Sequence, residues 1–302
     1  VGCGNIGLRH AQGLSKSKFK INLYLVDKLQ KNINFLIKSL KPEKNLNIVS
    51  QSREIKKIRK KINLLILSTD SKKRYDLLKK NLKLNSIENI ILEKFVFLKK
   101  DNFKDILLLK KKIWVNTPMR TYKSYKNLKK KLFNKNINME VFGYKWNMAS
   151  NIIHYFDLFQ YLSGFKKIVL EKVNINKKLL NSKRAGYKEI AGKIKFFTNN
   201  KNFISFKDLK SKKTNGVKVR IFKKKQNFLI DERAQTCIYN NKKRKAFEIP
   251  FQSNMTNYIA DKIFLKKTCD LTTLKQSSYL HIMIINILKK YTHYKKNNFP
   301  VS

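Results

Sequence analysis

Apolar positions along the first third of the chain recur in two alternating rhythms. Ile21-Asn22-Leu23-Tyr24-Leu25-Val26 and Leu46–Val49 read as strands, and residues 61–67, with the apolar run Leu64–Leu67, read as a buried parallel strand. Ile90-Ile91-Leu92 and Ile113-Trp114-Val115 continue the series, and Trp114 reads as core. Between the strands, Ala11–Leu14, residues 28–40, Tyr75–Leu84 and Lys100–Lys110 repeat apolar residues at helical spacing. Leu77, Leu78 and Leu82 share one side of the third stretch. Strands alternating with helices in this way predict a doubly wound parallel sheet. Near Asn116-Thr117-Pro118 the rhythm changes. Helical stretches at 122–133 and 151–163 enclose a strand around Met139–Phe142, and strands at 192–198 and 203–208 flank the hairpin signal Asn199-Asn200-Lys201-Asn202. Lys218–Phe222, Phe228–Ile230 and Thr236–Tyr239 suggest more antiparallel pairing, and residues 256–265 and 275–291 read as closing helices.

The sharpest local signal is at the start. Gly2-x-Gly4-x-x-Gly7 lies between a strand end and a helix. Gly2 would allow the tight turn, Gly4 the close approach of a pyrophosphate, and Gly7 the contact of helix with strand. Asn5 and Ile6 occupy the first helical turn, whose free N–H groups attract phosphate. Asp27 ends the next strand about 20 residues on, where an acid grips a ribose 2′-hydroxyl and disfavours a 2′-phosphate. The pattern predicts a dinucleotide site that prefers NAD, while the neighbouring Lys28 leaves NADP open. Ser68-Thr69 and Glu93-Lys94 end two further strands, at the edge where open parallel sheets bind ligands. The fold expectation is therefore an α/β protein, with a Rossmann domain over 1–118 and a C-terminal α/β domain over 119–302 carrying a mostly antiparallel open sheet. The chain opens at Val1 without a methionine, and its first strand reads as cut short.

Composition changes this picture little. Hydrophobic residues make up 42% of 302, which suits a globular protein with an ample core. Lys+Arg 69 against Asp+Glu 19 leaves a net charge of +50, a field that attracts polyanions. The lysines are spread along the whole chain among many Asn, Ile and Phe residues, which share adenine- and thymine-rich codons. No basic and aromatic residues interleave in a repeating way, so a nucleic-acid role ranks below a substrate carrying phosphate or carboxylate. No apolar run reaches transmembrane length, and no membrane partner is expected. Cys3, Cys237 and Cys269 form neither a C-x-x-C pair nor a cluster with histidine, so no metal is expected and a reducing cytoplasm is the natural setting.

Three segments together resemble one family: the glycine turn continued as Gly7-Leu8-Arg9-His10, the pair Glu93-Lys94, and Gly143–Asn151 leading into His154-x-x-Asp157. They are similar to the glucose–fructose oxidoreductase / inositol dehydrogenase family (Gfo/Idh/MocA) through nearly the whole chain. Glu93-Lys94 matches its Glu-Lys-Pro motif, and His154-x-x-Asp157 matches the motif around its active-site histidine. Asn116 with Arg120 resembles the passage into its second domain. Gln252-Ser253-Asn254-Met255-Thr256 and Leu271–Leu274 to His281 resemble a branch associated with bacterial surface-glycan biosynthesis.

The resemblance implies hydride transfer between a nicotinamide and a hydroxyl-bearing carbon of a sugar, a sugar derivative or a sugar nucleotide, in a homo-oligomer. It assigns Gly2, Gly4, Asn5, Ile6, Gly7, Asp27, Ser68, Thr69 and Glu93 to the cofactor. Lys94 is implied to lower the pKa of the substrate hydroxyl as a fixed charge, and His154 to take its proton. For Trp146, with Tyr144, both stacking on a sugar and interior packing stay open. For Asn147 and Asn151, sugar contacts and loop capping stay open. His10, His281 and His293 read as structural. Phe95 stands where the family has proline, which would remove a rigid kink. Ser150 stands where it often has an aspartate, and Ile152 where it has glycine. These departures motivate an alternative: a relative that binds cofactor without turnover.

Overall fold

The computed structural model describes residues 1–58, 60–132, 136–176, 178–199, 201–209, 216–292, 294 and 299–301. Asn200 of the expected hairpin turn and His293 lie outside the described residues. The chain forms two compact units: Val1–Asn116 with Pro250–Ser278, and Thr117–Ile249 with Tyr279–Ser302.

The first unit runs α1 (Asn5–Leu14), β1 (Ile21–Val26), α2 (Gln30–Ser39), β2 (Leu46–Ser52), β3 (Ile62–Leu67), α3 (Arg74–Leu84), β4 (Ile87–Leu92), α4 (Lys100–Leu108) and β5 (Lys112–Val115). β1 and β2 pair in parallel, as do β3, β4 and β5 in that order. Thr272–Thr273 adds a short antiparallel edge to β5. Val1 and Gly2 join the two groups of strands. The Val1 amine donates to the Ile66 carbonyl at 2.8 Å, and the Gly2 amide to the Val26 carbonyl at 2.8 Å. Away from this junction the facing edges of β1 and β3 flank a cavity of about 840 Å³. Leu65, Leu67, Ile90, Ile91 and Leu92 are buried, each contributing roughly 1.5–3 kcal/mol on removal from water. Leu8 and Ala11 of α1 pack with Cys3, Leu25, Ile33 and Leu36 in one apolar cluster. On its other side α1 meets the helix Thr256–Lys266. A β-carbon at Gly13 would lie 2.6 Å from that of Thr256, so the approach requires glycine.

The second unit runs α5 (Lys123–Lys131), β6 (Asn138–Tyr144), α6 (Met148–Ser163), β7 (Ile168–Ile175), β8 (Leu180–Asn181), β9 (Lys188–Glu189), β10 (Gly192–Thr198), β11 (Phe203–Leu209), β12 (Lys218–Lys223), β13 (Gln226–Asp231), β14 (Thr236–Tyr239) and β15 (Lys243–Ala246). Its main sheet has the order β15-β14-β13-β12-β6-β11-β10-β7 and is antiparallel except where β6 meets β11. β8 and β9 form a separate small pair. Alternation sends Met139, Val141, Ile194, Phe196, Ile204, Phe206, Val219 and Ile221 to a buried face. Phe156 of α6 packs on that face, its ring 4.8 Å from those of both Phe196 and Phe206. Left-handed Gly164 ends α6, where the missing side chain removes the steric penalty.

β7 and β15 carry no clear sequence signal. Both are edge strands; β15 is short and basic, and β7 fully buries only Ile168, so β7 shows no clean alternation. No helix among the described residues is long and apolar enough to cross a membrane.

Candidate functional site

The glycine turn has a geometry that explains each of its glycines. Gly2 holds φ +91°, and its β-carbon would meet the Ser68 carbonyl carbon at 2.9 Å. At Gly7 a β-carbon would sit 1.9 Å from the Gly2 carbonyl oxygen, so helix and strand end touch there. Gly4 differs: nothing lies within 4 Å of where its β-carbon would be. Gly4 is the residue before α1, and no side chain caps the helix among the described residues. The amides of Asn5, Ile6 and Gly7 thus begin a helix beside open space, with the positive end of its dipole toward that space.

Asp27 closes one side of this turn. Its Oδ2 accepts the Cys3 amide at 2.8 Å, while Oδ1 accepts the Leu29 amide at 2.9 Å and the Asn32 side chain at 3.1 Å. The acid is thereby fixed against the glycine turn at the end of β1, and a carboxylate has acceptor sites to spare beyond these three. Cys3 is 2% exposed, and burial, with the Asp27 charge adding to it, pushes its thiol up to about 11. That thiol is packing material rather than a nucleophile.

The ends of β3 and β4 complete this edge. The Ser68 hydroxyl lies 2.7 Å from the Gly2 carbonyl. Thr69 Oγ1 is buried and has no hydrogen-bond partner among the described residues. Arg74, 1% exposed, donates to the carbonyls of Thr69, Phe95 and Val96 and so binds the two strand ends together. A single arginine in so basic a chain carries no sequence mark of such a role.

Glu93 is buried. Its Oε1 lies 2.9 Å from His10 Nε2 and also accepts the Asn116 amide, while His10 Nδ1 lies 3.0 Å from Thr256 Oγ1. Burial would raise the Glu93 pKa, but the hydrogen bonds from His10 and Asn116, with the charges of His10 and Arg74, outweigh it and lower it. Lys94 follows, half-buried, and the Lys94–Phe95 peptide is cis.

In the second unit the segment before α6 is tightly held. Trp146 is 5% exposed, its indole N–H donates to the Lys207 carbonyl at 3.1 Å, and its ring meets Tyr155 edge-on. Of its two open roles, interior packing is the one seen. Asn147 takes a left-handed conformation before the helix, and the Asn151 side chain donates to the Trp146 carbonyl at 2.8 Å, a loop-capping bond. Tyr144 ends β6 and is half-buried. His154 lies in the second turn of α6, half-buried between buried neighbours. Asp157, fully buried, pairs in two-pronged fashion with Arg120, each contact 2.8 Å. Ser150 donates its hydroxyl and its amide to the carboxylate of Glu189 on β9.

Close by, Tyr155 and Tyr125 donate to Glu232 at 2.9 and 3.4 Å. Burial pushes the Glu232 carboxyl up to about 7; the two tyrosine hydrogen bonds offset this only in part. A carboxyl with a raised folded pKa retains a proton that the unfolded chain has released. Stability therefore falls as pH rises from the ordinary glutamate range toward 7, then levels off. Glu232→Gln is expected to stabilise the protein at pH 8 by about 1–3 kcal/mol and to change little near pH 4.5, as read from Tm at both values.

The sequence matches no protein-family model and no curated protein. Solved structures do match. A putative myo-inositol dehydrogenase from Sinorhizobium meliloti 1021 aligns with a TM-score of 0.70 at 13% identity, covering 99% of this chain and 98% of that one. A scyllo-inositol dehydrogenase from Lactobacillus casei, with bound NAD(H) and scyllo-inositol, aligns at TM-score 0.62 and 13% identity, covering 94% and 93%. A super-repressor mutant of Gal80p from Saccharomyces cerevisiae aligns at TM-score 0.64 and 14% identity, covering 96% and 92%. At identities this low the likeness shows the fold alone: the chain has the α/β fold of these structures, a parallel-sheet unit and a mostly antiparallel one.

Proposed function

We propose that this chain is an NAD-dependent oxidoreductase that moves a hydride between the nicotinamide and a hydroxyl-bearing carbon of a sugar or sugar derivative. The observation that carries the reading is the glycine turn, where Gly4 faces open space at the start of α1 and Asp27 is held against the turn by the Cys3 amide. Asn5, Ile6 and Gly7 would present amides to the pyrophosphate, and Asp27 would accept the adenosine ribose hydroxyls. Ser68 and the unmatched hydroxyl of Thr69 would complete the rim. Glu93 would serve by holding the end of β4 through His10 and Asn116. NAD, when bound, supplies the hydride acceptor. Lys94 would stabilise the developing alkoxide as a fixed positive charge, and His154 would accept its proton and return it in reverse. Asn147 and Asn151 would orient sugar hydroxyls, while Trp146 would shape their loop from inside.

The reading extends to a homo-oligomer formed through the open face of the large sheet. Phe197, Phe203 and Phe222 are half-buried there and pack edge-to-face with one another. A cytoplasmic setting fits three free cysteines. A sugar nucleotide substrate in surface-glycan biosynthesis rests on the resemblance of the closing segment alone.

A fluorescence titration with NADH and NADPH tests the cofactor half. The wild-type chain is expected to bind NADH more tightly. Gly4→Ala is expected to cost only its cap preference, about 1 kcal/mol or less, yet to weaken NADH binding by about tenfold or more, because the methyl enters the phosphate's space. Equal binding by both proteins, or none by either, sinks the reading. A screen of free sugars and sugar nucleotides for NADH formation tests the other half. A second reading, cofactor binding without turnover, is favoured by Phe95 and Ser150 and by the likeness to Gal80p. It predicts NADH binding and a blank screen.

A further inference from the structure

The helix that carries His154 lacks an acid at the position one turn before it, where Ser150 stands. On a helix, residues four apart share a face, with β-carbons about 5–6 Å apart. A carboxylate is nevertheless present beside that face. Glu189 is 2% exposed and comes from β9, outside the helix altogether. Its Oε1 accepts a hydrogen bond from the Ser150 hydroxyl, and its Oε2 accepts the Ser150 amide at 3.2 Å. Two bonds from one residue fix both oxygens at the first turn of α6, with the positive end of the helix dipole on the same side.

We propose that Glu189 is a positioning residue for His154, delivering from a neighbouring strand the negative charge that Ser150 does not carry. The inference rests on the reading of His154 as the proton acceptor. In this arrangement Ser150 is a tether: its hydroxyl and amide set where the Glu189 carboxylate stands along the helix. A charge so placed stabilises the imidazolium that forms when His154 takes the substrate proton, and it does so without touching substrate.

Other charged groups also stand around α6. Asp157, on the same helix, is locked to Arg120 of the short helix Pro118–Thr121. Arg120 and Lys129 also stand over the Tyr161 ring. From β11 come Lys207 and Asp208; burial pushes Asp208 up to about 6, with the Glu189 charge adding to the rise. From β9 comes Lys188, whose ammonium donates to Asn181. Tyr155 faces Glu232. Glu189 is thus the acidic partner bound directly at Ser150, one turn from the histidine.

The test reads the histidine rather than turnover. The chain has four histidines, so ring-labelled protein gives a simple spectrum, and His154→Gln identifies the signal of interest. Glu189→Gln is expected to lower the His154 titration midpoint by about one unit, the size expected for losing one nearby charge. Adding Ser150→Asp to that variant is expected to restore most of it, since the charge returns from the helix side. If Glu189→Gln does not fold, Ser150→Ala with Glu189→Leu removes both partners together and is expected to give the same drop. An unmoved midpoint in the folded variant overturns the proposal. In the sugar assay the acid limb of the kcat/KM profile should move with the midpoint. If the midpoint moves while His154→Gln leaves turnover intact, the charge coupling stands and the catalytic reading of His154 is what fails.

Discussion

His154→Asn and Lys94→Met are each expected to lower substrate-dependent NADH formation by about 10²- to 10⁴-fold while NADH affinity changes by about threefold or less. The expectation for Lys94 comes from its setting rather than its charge, since charge alone distinguishes nothing among 69 Lys+Arg. Before Lys94, Glu93 is anchored by His10 and Asn116; after it, the Phe95 carbonyl is gripped by Arg74. Its backbone is pinned on both sides, so its side chain starts from a fixed point at the end of β4. His154 is similarly placed, half-buried on a helix whose flanking residues Ile153 and Tyr155 are buried. An unprotonated imidazole can take a proton near neutral pH, and an asparagine amide cannot. The effect should therefore fall on kcat, with KM shifting by less. Steady-state kinetics on the substrate found by the screen decides it. Either variant retaining more than about a tenth of wild-type turnover removes that residue from the chemistry.

Much of the first unit is legible in the sequence because its signals are local. A run such as Ile90-Ile91-Leu92 can only be a buried strand or helix, and its length decides. The glycine turn is legible because backbone contact leaves no choice of residue: a methyl at Gly7 would overlap the Gly2 carbonyl. What is not legible is pairing at long range. The return of Pro250–Ser278 to the first unit leaves no trace in composition, since the helix Thr256–Lys266 reads like any amphipathic helix. Thr256 and Gln252, which join the network around His10, Glu93 and Asn116, are ordinary polar residues until the fold gathers them. Arg74 and Glu189 are hidden for the same reason, one among many cations and the other in a two-residue strand without alternation. At Ser150 a local comparison registers the loss of a carboxylate, while the structure sets Glu189 against that very residue.

The buried pair between Arg120 and Asp157 carries the largest stability effect. Asp157→Ala is expected to destabilise the protein by about 3–5 kcal/mol, a fall in Tm of roughly 6–20 °C. Both oxygens of Asp157 are taken by the guanidinium at 2.8 Å, and the carboxylate is fully buried, so removing it strands a cation with little water to replace its partner. Asp157→Asn should cost less, since its amide keeps one acceptor for the fork. Arg120→Ala alone should cost a similar amount by stranding the anion. Losing both should cost less than the two single losses added together, because neither charge is then left uncompensated. Thermal melts of the three variants and the double give the coupling directly, and a coupling below about 1 kcal/mol would mean the pair is solvated rather than buried. The consequence reaches function through α6. Asp157 ties that helix to the segment Pro118–Thr121 one turn beyond His154, so the pair fixes the height of the histidine along its own axis. A variant that still folds, such as Asp157→Asn, is therefore expected to lose kcat before it loses cofactor binding, because Asp27 and the glycine turn belong to the other unit.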